Sequence, residues 1–259
     1  MDLGIAGRKA IVCASSRGLG RACAKALAEA GCEVVINGRD RERLAATAAE
    51  LHQATGAKVT PVAADVAAAE GQRALFEACP EPDILVTNNG GPPFRDFREL
   101  DRQKLLDGVI ANMVVAIELT QKAIEPMIAR KFGRIVNITS GSVKAPIPGL
   151  DLSSGARAGL TAFLAGVARS VAAANVTINF LLPGVFATDR FQTYVETTMK
   201  RRGISAEAAL AERVASVPAH RIGEPEEFGA ACAFLCSAQA GYITGQNLLI
   251  DGGAFPGAF

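Results

Sequence analysis

Short runs of β-branched and aliphatic residues alternate along the chain with longer stretches rich in alanine and leucine. The short runs predict strands at Lys9 to Cys13, Glu33 to Asn37, Lys58 to Val62, Ile84 to Thr87, Arg134 to Thr139, Thr177 to Leu181 and Asn247 to Ile250. The longer stretches predict helices at Gly18 to Ala30, Arg41 to Thr55, Gly71 to Ala78, Asp101 to Lys131, Ser153 to Ala174 and Pro225 to Ser237. Strand and helix taking turns in this way is the signature of βαβ units around a parallel sheet. The expected architecture is therefore a single α/β domain over residues 1–259, a doubly wound seven-stranded parallel sheet with helices on both faces. One segment breaks the rhythm: Asp189 to Ala219 is polar, carries Tyr194, Met199 and four arginines, and delays the last strand. A helical lid over a substrate is the reading adopted for it, with an ordinary surface excursion as the other.

Composition narrows the possible roles. A chain of 259 residues with 49% hydrophobic content can bury one large core. Twenty-seven basic against 26 acidic side chains leave a net charge of +1, and no Lys/Arg block could track a nucleic-acid backbone. The first residues, Met1 to Arg8, contain no charged segment followed by an apolar one, and every apolar run falls short of the ~18 residues a membrane span needs. A soluble, cytoplasmic protein is expected. Cys13, Cys23, Cys32, Cys79, Cys232 and Cys236 are scattered among aliphatic residues without a Cys-x-x-Cys pair, so reduced core thiols are expected and no metal site.

The first candidate chemistry follows the first strand. Ser15-Ser16-Arg17-Gly18-Leu19-Gly20 leads directly into a helix, where backbone N–H groups and the helix dipole favour a diphosphate. With its strand and helix, this turn points to a Rossmann fold that binds a dinucleotide. The second strand ends in Asn37-Gly38-Arg39 and lacks the carboxylate that would bind a free ribose 2′-hydroxyl. Arg39, assisted by Arg17, can instead make charge-assisted bonds to a 2′-phosphate, which predicts NADP(H) as cofactor. Asp40 is taken as the N-cap of the following helix, pointing away.

At this point the chain resembles the short-chain dehydrogenase/reductase family over nearly its whole length, especially members of the 3-oxoacyl carrier-protein reductase kind. Cys13 through Gly20 resembles the family's Thr-Gly-x-x-x-Gly-x-Gly, with Ala14 where a glycine is usual and where ordinary dihedral angles are expected. The resemblance implies an adenine contact at Asp65 and Val66, and a channel shaped by Asn88, Asn89, Gly90 and Gly91. It also implies a nicotinamide-carboxamide contact along Pro183, Gly184, Val185 and Thr188. Asn112 falls where the family has a helix asparagine supporting a relay water, and Ser140 where it has the catalytic serine.

Thirteen residues beyond Ser140 the family's Tyr-x-x-x-Lys is replaced by Ser153-Ser154-Gly155-Ala156-Arg157. In the family the tyrosine protonates the carbonyl oxygen, and the lysine lowers its pKa and binds the nicotinamide ribose. A serine hydroxyl is a far weaker acid, and an arginine keeps its proton; Arg157 preserves charge and the ribose contact only. Three readings stand at this point. The chain is an NADPH-dependent carbonyl reductase whose Ser140, Ser153 and Arg157 stabilise the oxyanion, with Tyr194 of the lid as a variant acid in preference to Tyr242. Alternatively it passes hydride to an imine or activated alkene needing little protonation, or it is a silent NADP(H)-binding or scaffolding protein.

The loop Asn89-Gly90-Gly91-Pro92-Pro93-Phe94 and the segment Val143 to Leu150 are expected to wall a pocket for a small, moderately hydrophobic molecule. The alanine-rich helix from Ser153 suits close helix pairing. Family members commonly assemble through it and the last strand, which implies a homo-oligomer, a tetramer or possibly a dimer, with the tail Asp251 to Phe259 docked at an interface.

Overall fold

The computed structural model describes residues 2–91 and 94–258. Seven parallel strands form one sheet in the order β3-β2-β1-β4-β5-β6-β7. They are β1 (Lys9–Val12), β2 (Glu33–Gly38), β3 (Val59–Ala63), β4 (Ile84–Thr87), β5 (Gly133–Ile138), β6 (Val176–Pro183) and β7 (Asn247–Ile250). Each differs from its sequence expectation by two residues at most at either end. The helices are α1 (Gly18–Glu29), α2 (Arg41–Thr55), α3 (Ala69–Ala78), α4 (Arg102–Val109), α5 (Val115–Ala129), α6 (Asp151–Val171), α7 (Asp189–Arg202), α8 (Ala206–Ala215) and α9 (Pro225–Cys236).

Alternate residues of each strand feed two separate cores. Ala10, Val12, Val34, Ile36, Val86 and Val136 meet Leu27 of α1, Leu44 of α2 and Phe228 of α9 on one face. Ile11, Val35, Leu85, Ile135 and Ile178 meet Leu75 of α3, Leu119 of α5 and Leu164 of α6 on the other. Both strand faces are thus apolar, as a sheet covered twice requires. All six cysteines are buried thiols, and Cys232 and Cys236 pack in the first of these cores. Among the described residues no group of three or more His, Cys, Asp or Glu could hold a metal ion, and no helix is long and apolar enough to cross a membrane.

Local signals set several boundaries. Asp40 accepts a hydrogen bond from the Arg43 N–H and so caps α2, as expected. Pro225 opens α9 behind a reciprocal capping box of Glu224 and Glu227. The long helix expected over Asp101 to Lys131 is interrupted: Ile110–Val114 forms a π-helical turn between α4 and α5, closed by the Val115 N–H on the Ile110 carbonyl. Such widened turns concentrate at functional sites, and this one contains Asn112.

The chain winds outward from β1 in one direction through β2 and β3, and in the other through β4 to β7. Ligands of open α/β sheets bind at this reversal, beyond the carboxyl ends of the strands.

Candidate active site

The turn after β1 is built by side chains that spend their hydrogen bonds inside the protein. Ser15 is fully buried; its hydroxyl donates to the Val12 carbonyl and accepts from the Asn37 N–H, while its own N–H donates to the Asn37 carbonyl. The Ser15 side chain therefore shapes the turn. Asn37 Nδ2 donates to the Val62 and Ala64 carbonyls, and Asn88 Nδ2 reaches the Ala14 carbonyl at 3.2 Å. Three strand ends are joined to one turn.

Ala14 corrects an expectation, since its φ is +46° and not ordinary. The left-handed backbone lets the Ala14 carbonyl meet Asn88 while the next N–H returns to Asn37. It costs an L-residue roughly 1–2 kcal/mol. Gly20 is required for the same close packing, because a Cβ there would collide with the Ala14 carbonyl oxygen.

The groove beyond this turn fits a dinucleotide. Arg17, the N-cap of α1, makes no side-chain capping bond, and the first turn carries no acidic residue, so the helix end is open to an anion. Gly18 takes a φ of +57° and faces the Thr188 methyl across the groove. Gly90 has open space where a Cβ would stand. Ser16 packs against Gly38, and Leu19 packs partly buried on the core.

Arg39 is exposed and makes no ion pair among the described residues, whereas Arg17 Nη1 pairs with Asp189 of α7 at 2.8 Å. Asp65 Oδ1 accepts from the Ala67 N–H, and the Val66 side chain is buried in the second core, which leaves only its backbone for a ligand. Pro183 ends β6. The Gly184 N–H donates to the Ile250 carbonyl, the Val185 carbonyl accepts from Gly223, and Thr188 is the N-cap of α7.

The candidate catalytic side chains converge beyond β5. Arg157 is 8% exposed; its Nε donates to Ser153 Oγ at 3.2 Å and its Nη1 to the Ile138 carbonyl at 2.8 Å. Burial, and secondarily the charge of Arg190, pulls its pKa well below the usual guanidinium value, to about 10, so it stays cationic at neutral pH. Ser140 Oγ accepts from the Ser142 N–H at 3.1 Å, which leaves its own hydrogen to donate. Asn112 Nδ2 donates to the Gly108 carbonyl, and its buried Oδ1 has no partner among the described residues. Asn89 Nδ2 ties the loop after β4 to the Ala111 carbonyl in the π turn.

Asn112 and Ser153 line one cavity of about 250 Å³, with Gly90, Arg95, Gly149 and Leu150 among the other walls. Leu150 fulfils part of the expected second wall. Pro92 and Pro93 of the first lie outside the described residues, as does Phe259 of the tail, while Phe94 is exposed. A larger hollow of about 480 Å³ between α1 and α9 includes none of the site residues. The segment 189–219 forms α7 and α8, and Tyr194 stacks on Phe191 within α7, beneath Arg213. Tyr242 is fully exposed.

One residue of this region was not anticipated. Arg190, in the first turn of α7, places its guanidinium where a Cβ on Gly91 would come within 2.6 Å of Nη1. Its only signal in the sequence was its place two residues beyond Thr188, among the four arginines of a polar segment.

Residues 13–254 match the family Enoyl-(Acyl carrier protein) reductase. The chain belongs to the short-chain dehydrogenase/reductase family. It is 31% identical over 252 residues to the NADPH-dependent reductase BacG of Bacillus subtilis, covering 95% of this chain and 97% of that one. It is 32% identical over 259 residues to the 3-oxoacyl-[acyl-carrier-protein] reductase FabG of Aquifex aeolicus, covering 98% and 100%. Among solved structures, L-sorbose reductase from Gluconobacter frateurii, complexed with NADPH and L-sorbose, is similar with a TM-score of 0.94 at 29% identity, covering 99% and 100%. YwfH, an NADPH-dependent reductase of bacilysin biosynthesis, is similar with a TM-score of 0.92 at 29% identity, covering 97% and 100%. These short-chain dehydrogenase/reductases share the seven-stranded Rossmann architecture seen here.

Proposed function

We propose that this protein is an NADPH-dependent reductase of a carbonyl group on a small molecule, working without the family's tyrosine. The observation that carries this reading is Ser153 Oγ, held by Arg157 at 3.2 Å on the wall of a 250 Å³ cavity beside the dinucleotide groove. Relatives with NADPH in their names support the cofactor, as does a groove free of an acidic residue at the end of β2.

When bound, NADPH supplies the hydride. Arg39 and Arg17 hold the 2′-phosphate; the Arg17–Asp189 pair is solvent-exposed and worth at most about 1 kcal/mol, so Arg17 is readily redirected. Ser16, Gly18, Leu19 and Gly20 hold the diphosphate, Asp65 and the Val66 backbone the adenine, and Asn89, Gly90 and Gly91 the channel. Pro183, Gly184, Val185 and Thr188 hold the carboxamide. Ser140 and Ser153 donate to the oxygen of the substrate as negative charge develops there, and Arg157 stabilises that charge and contacts the ribose. Asn112 Oδ1 accepts a hydrogen bond from a water that protonates this oxygen, and the hydroxide left behind takes its proton back from solvent.

A second reading is favoured by one feature: neither Ser153 nor Arg157 releases a proton near neutral pH. Imines already protonated, or activated alkenes that pass charge to a remote oxygen, suit such a site. In either case α7 and α8 serve as the lid. The exposed Phe163 on α6 and Leu248 on the edge strand β7 support assembly as a homo-oligomer through those elements.

The test is NADPH consumption with a panel of ketones, quinones, imines and enones, beside calorimetric binding of NADPH and NADH. Ketone turnover with preference for NADPH is expected. Tight NADPH binding without turnover across the panel overturns the catalytic reading, and equal affinity for NADH overturns the assignment of Arg39.

A further inference from the structure

Two guanidinium groups beside the candidate site have no carboxylate partner among the described residues. Arg157 bonds only to Ser153 Oγ and the Ile138 carbonyl, and neither Arg157 nor Arg190 has an ion pair among the described residues. The neighbouring carboxylate, Asp189, is turned the other way, toward Arg17 at 2.8 Å and Arg43 at 3.9 Å. Adjacent residues at the start of α7 thus divide their work. Asp189 faces the cofactor-side arginines, and Arg190 lies over Gly91 in the loop after β4.

The same sign of charge continues around the cavity. Gly90 and Ser153 line it; Arg190 lies against Gly91, next in the chain to Gly90, and Arg157 bonds Ser153 one helical turn on. Arg95 and Lys104 stand on its wall, although Lys104 is paired with Asp101 at 2.6 Å. The acidic residue on that wall is Asp107, which is exposed and accepts from Gln103 Nε2 at 2.8 Å. Two cations that flank one cleft, each one residue behind its wall and without a counter-charge among the described residues, raise each other's energy, and an anion held by both relieves it.

We propose that Arg190 and Arg157 clasp a carboxylate of the substrate, so that this enzyme selects oxo carboxylates over uncharged carbonyl compounds. The inference rests on the reading of the site as a reductase. Arg190 acts as a specificity-determining residue: planar and able to donate two parallel bonds, it matches a carboxylate better than a lysine would. Because it sits on α7, an anionic substrate also draws the start of that helix onto the cleft. The cofactor diphosphate is the other anion within this groove, and the two sources give different outcomes when Arg190 is changed.

The experiment compares 2-oxo, 3-oxo and 4-oxo carboxylates, each against its methyl ester, in two arms. One arm measures kcat/KM with NADPH; the other measures calorimetric affinity for the NADP⁺-saturated protein, which needs no turnover. The carboxylate of at least one pair is expected to exceed its ester by about ten- to a hundredfold in both arms, the effect of one or two charge-assisted bonds. In Arg190→Gln that ratio falls to within about twofold, and Arg190→Lys retains part of it. Equal values for acid and ester in the unaltered protein overturn the proposal, and so does an Arg190→Gln variant that weakens NADPH binding tenfold while the ratio stands. If no compound turns over, the reductase reading fails and the binding arm alone decides.

Discussion

Arg157 Nε donates to Ser153 Oγ across one turn of α6, at 3.2 Å. The bond aims the Ser153 lone pairs at α6 and leaves its hydrogen free for the cavity. A donor of this kind stabilises a developing oxyanion, and removing one typically costs ~10²-fold or more in kcat. Ser153→Ala is expected to lower kcat by about that factor with unchanged NADPH affinity. Unchanged steady-state turnover would remove Ser153 from the chemistry.

The charge on Arg157 sets an upper pH limit. Burial holds its pKa down at about 10, with Arg190 adding to the effect. The charged form is the working one, so kcat/KM is expected to be flat between about pH 6 and 9 and to fall as pH rises through about 10. Stability responds with the opposite sign: above about pH 10 and up to the ordinary guanidinium value, the unfolded chain holds this proton more tightly, so this residue's contribution to folding stability rises with pH. A pH profile with an inflection near 7 would contradict this.

Arg39 is expected to discriminate the cofactors. Arg39→Ala should weaken NADPH binding by about tenfold or more, the loss of a charge-assisted bond, and leave NADH nearly unchanged. Calorimetry with both dinucleotides reads the difference, and a parallel loss for both would show that Arg39 does not meet the 2′-phosphate.

Ala14 holds a φ of +46°. An Ala to Gly change ordinarily destabilises by raising the entropy of the unfolded chain. Here relief of roughly 1–2 kcal/mol of backbone strain offsets that loss. Ala14→Gly is expected to be neutral or to stabilise by up to about 1 kcal/mol in chemical denaturation; a loss of ~1 kcal/mol would show the strain to be absent.

Arg134, at the opposite end of β5 from the site, is a buried cation held by carbonyls. Its guanidinium donates to the Ser237, Gly133 and Asn175 carbonyls and to Asn175 Oδ1, and it lies over Phe132. Arg134→Leu strands these acceptors at about 1–3 kcal/mol each and is expected to cost about 3 kcal/mol or more in stability. The kcat of the folded fraction should not change, and a kcat loss without destabilisation would reverse this assignment.

Much of this protein was determined by sequence alone. Uniformly apolar strands and alanine-rich helices dictate a doubly covered parallel sheet, because backbone polarity and apolar burial are satisfied together in few other ways. The turn before α1, Arg39 after β2 and the Ser153–Arg157 spacing were equally legible, since each depends on neighbours within a few residues. Tertiary structure decided what depends on distant groups. The positive φ of Ala14 follows from Asn37 on β2 and Asn88 just beyond β4. The inward role of Ser15 follows from strand pairing, and the π turn at Asn112 lies against the Asn89 loop. Arg190 reaches Gly91 only because α7 begins beside the loop after β4, and no local pattern records where a long, flexible side chain comes to rest.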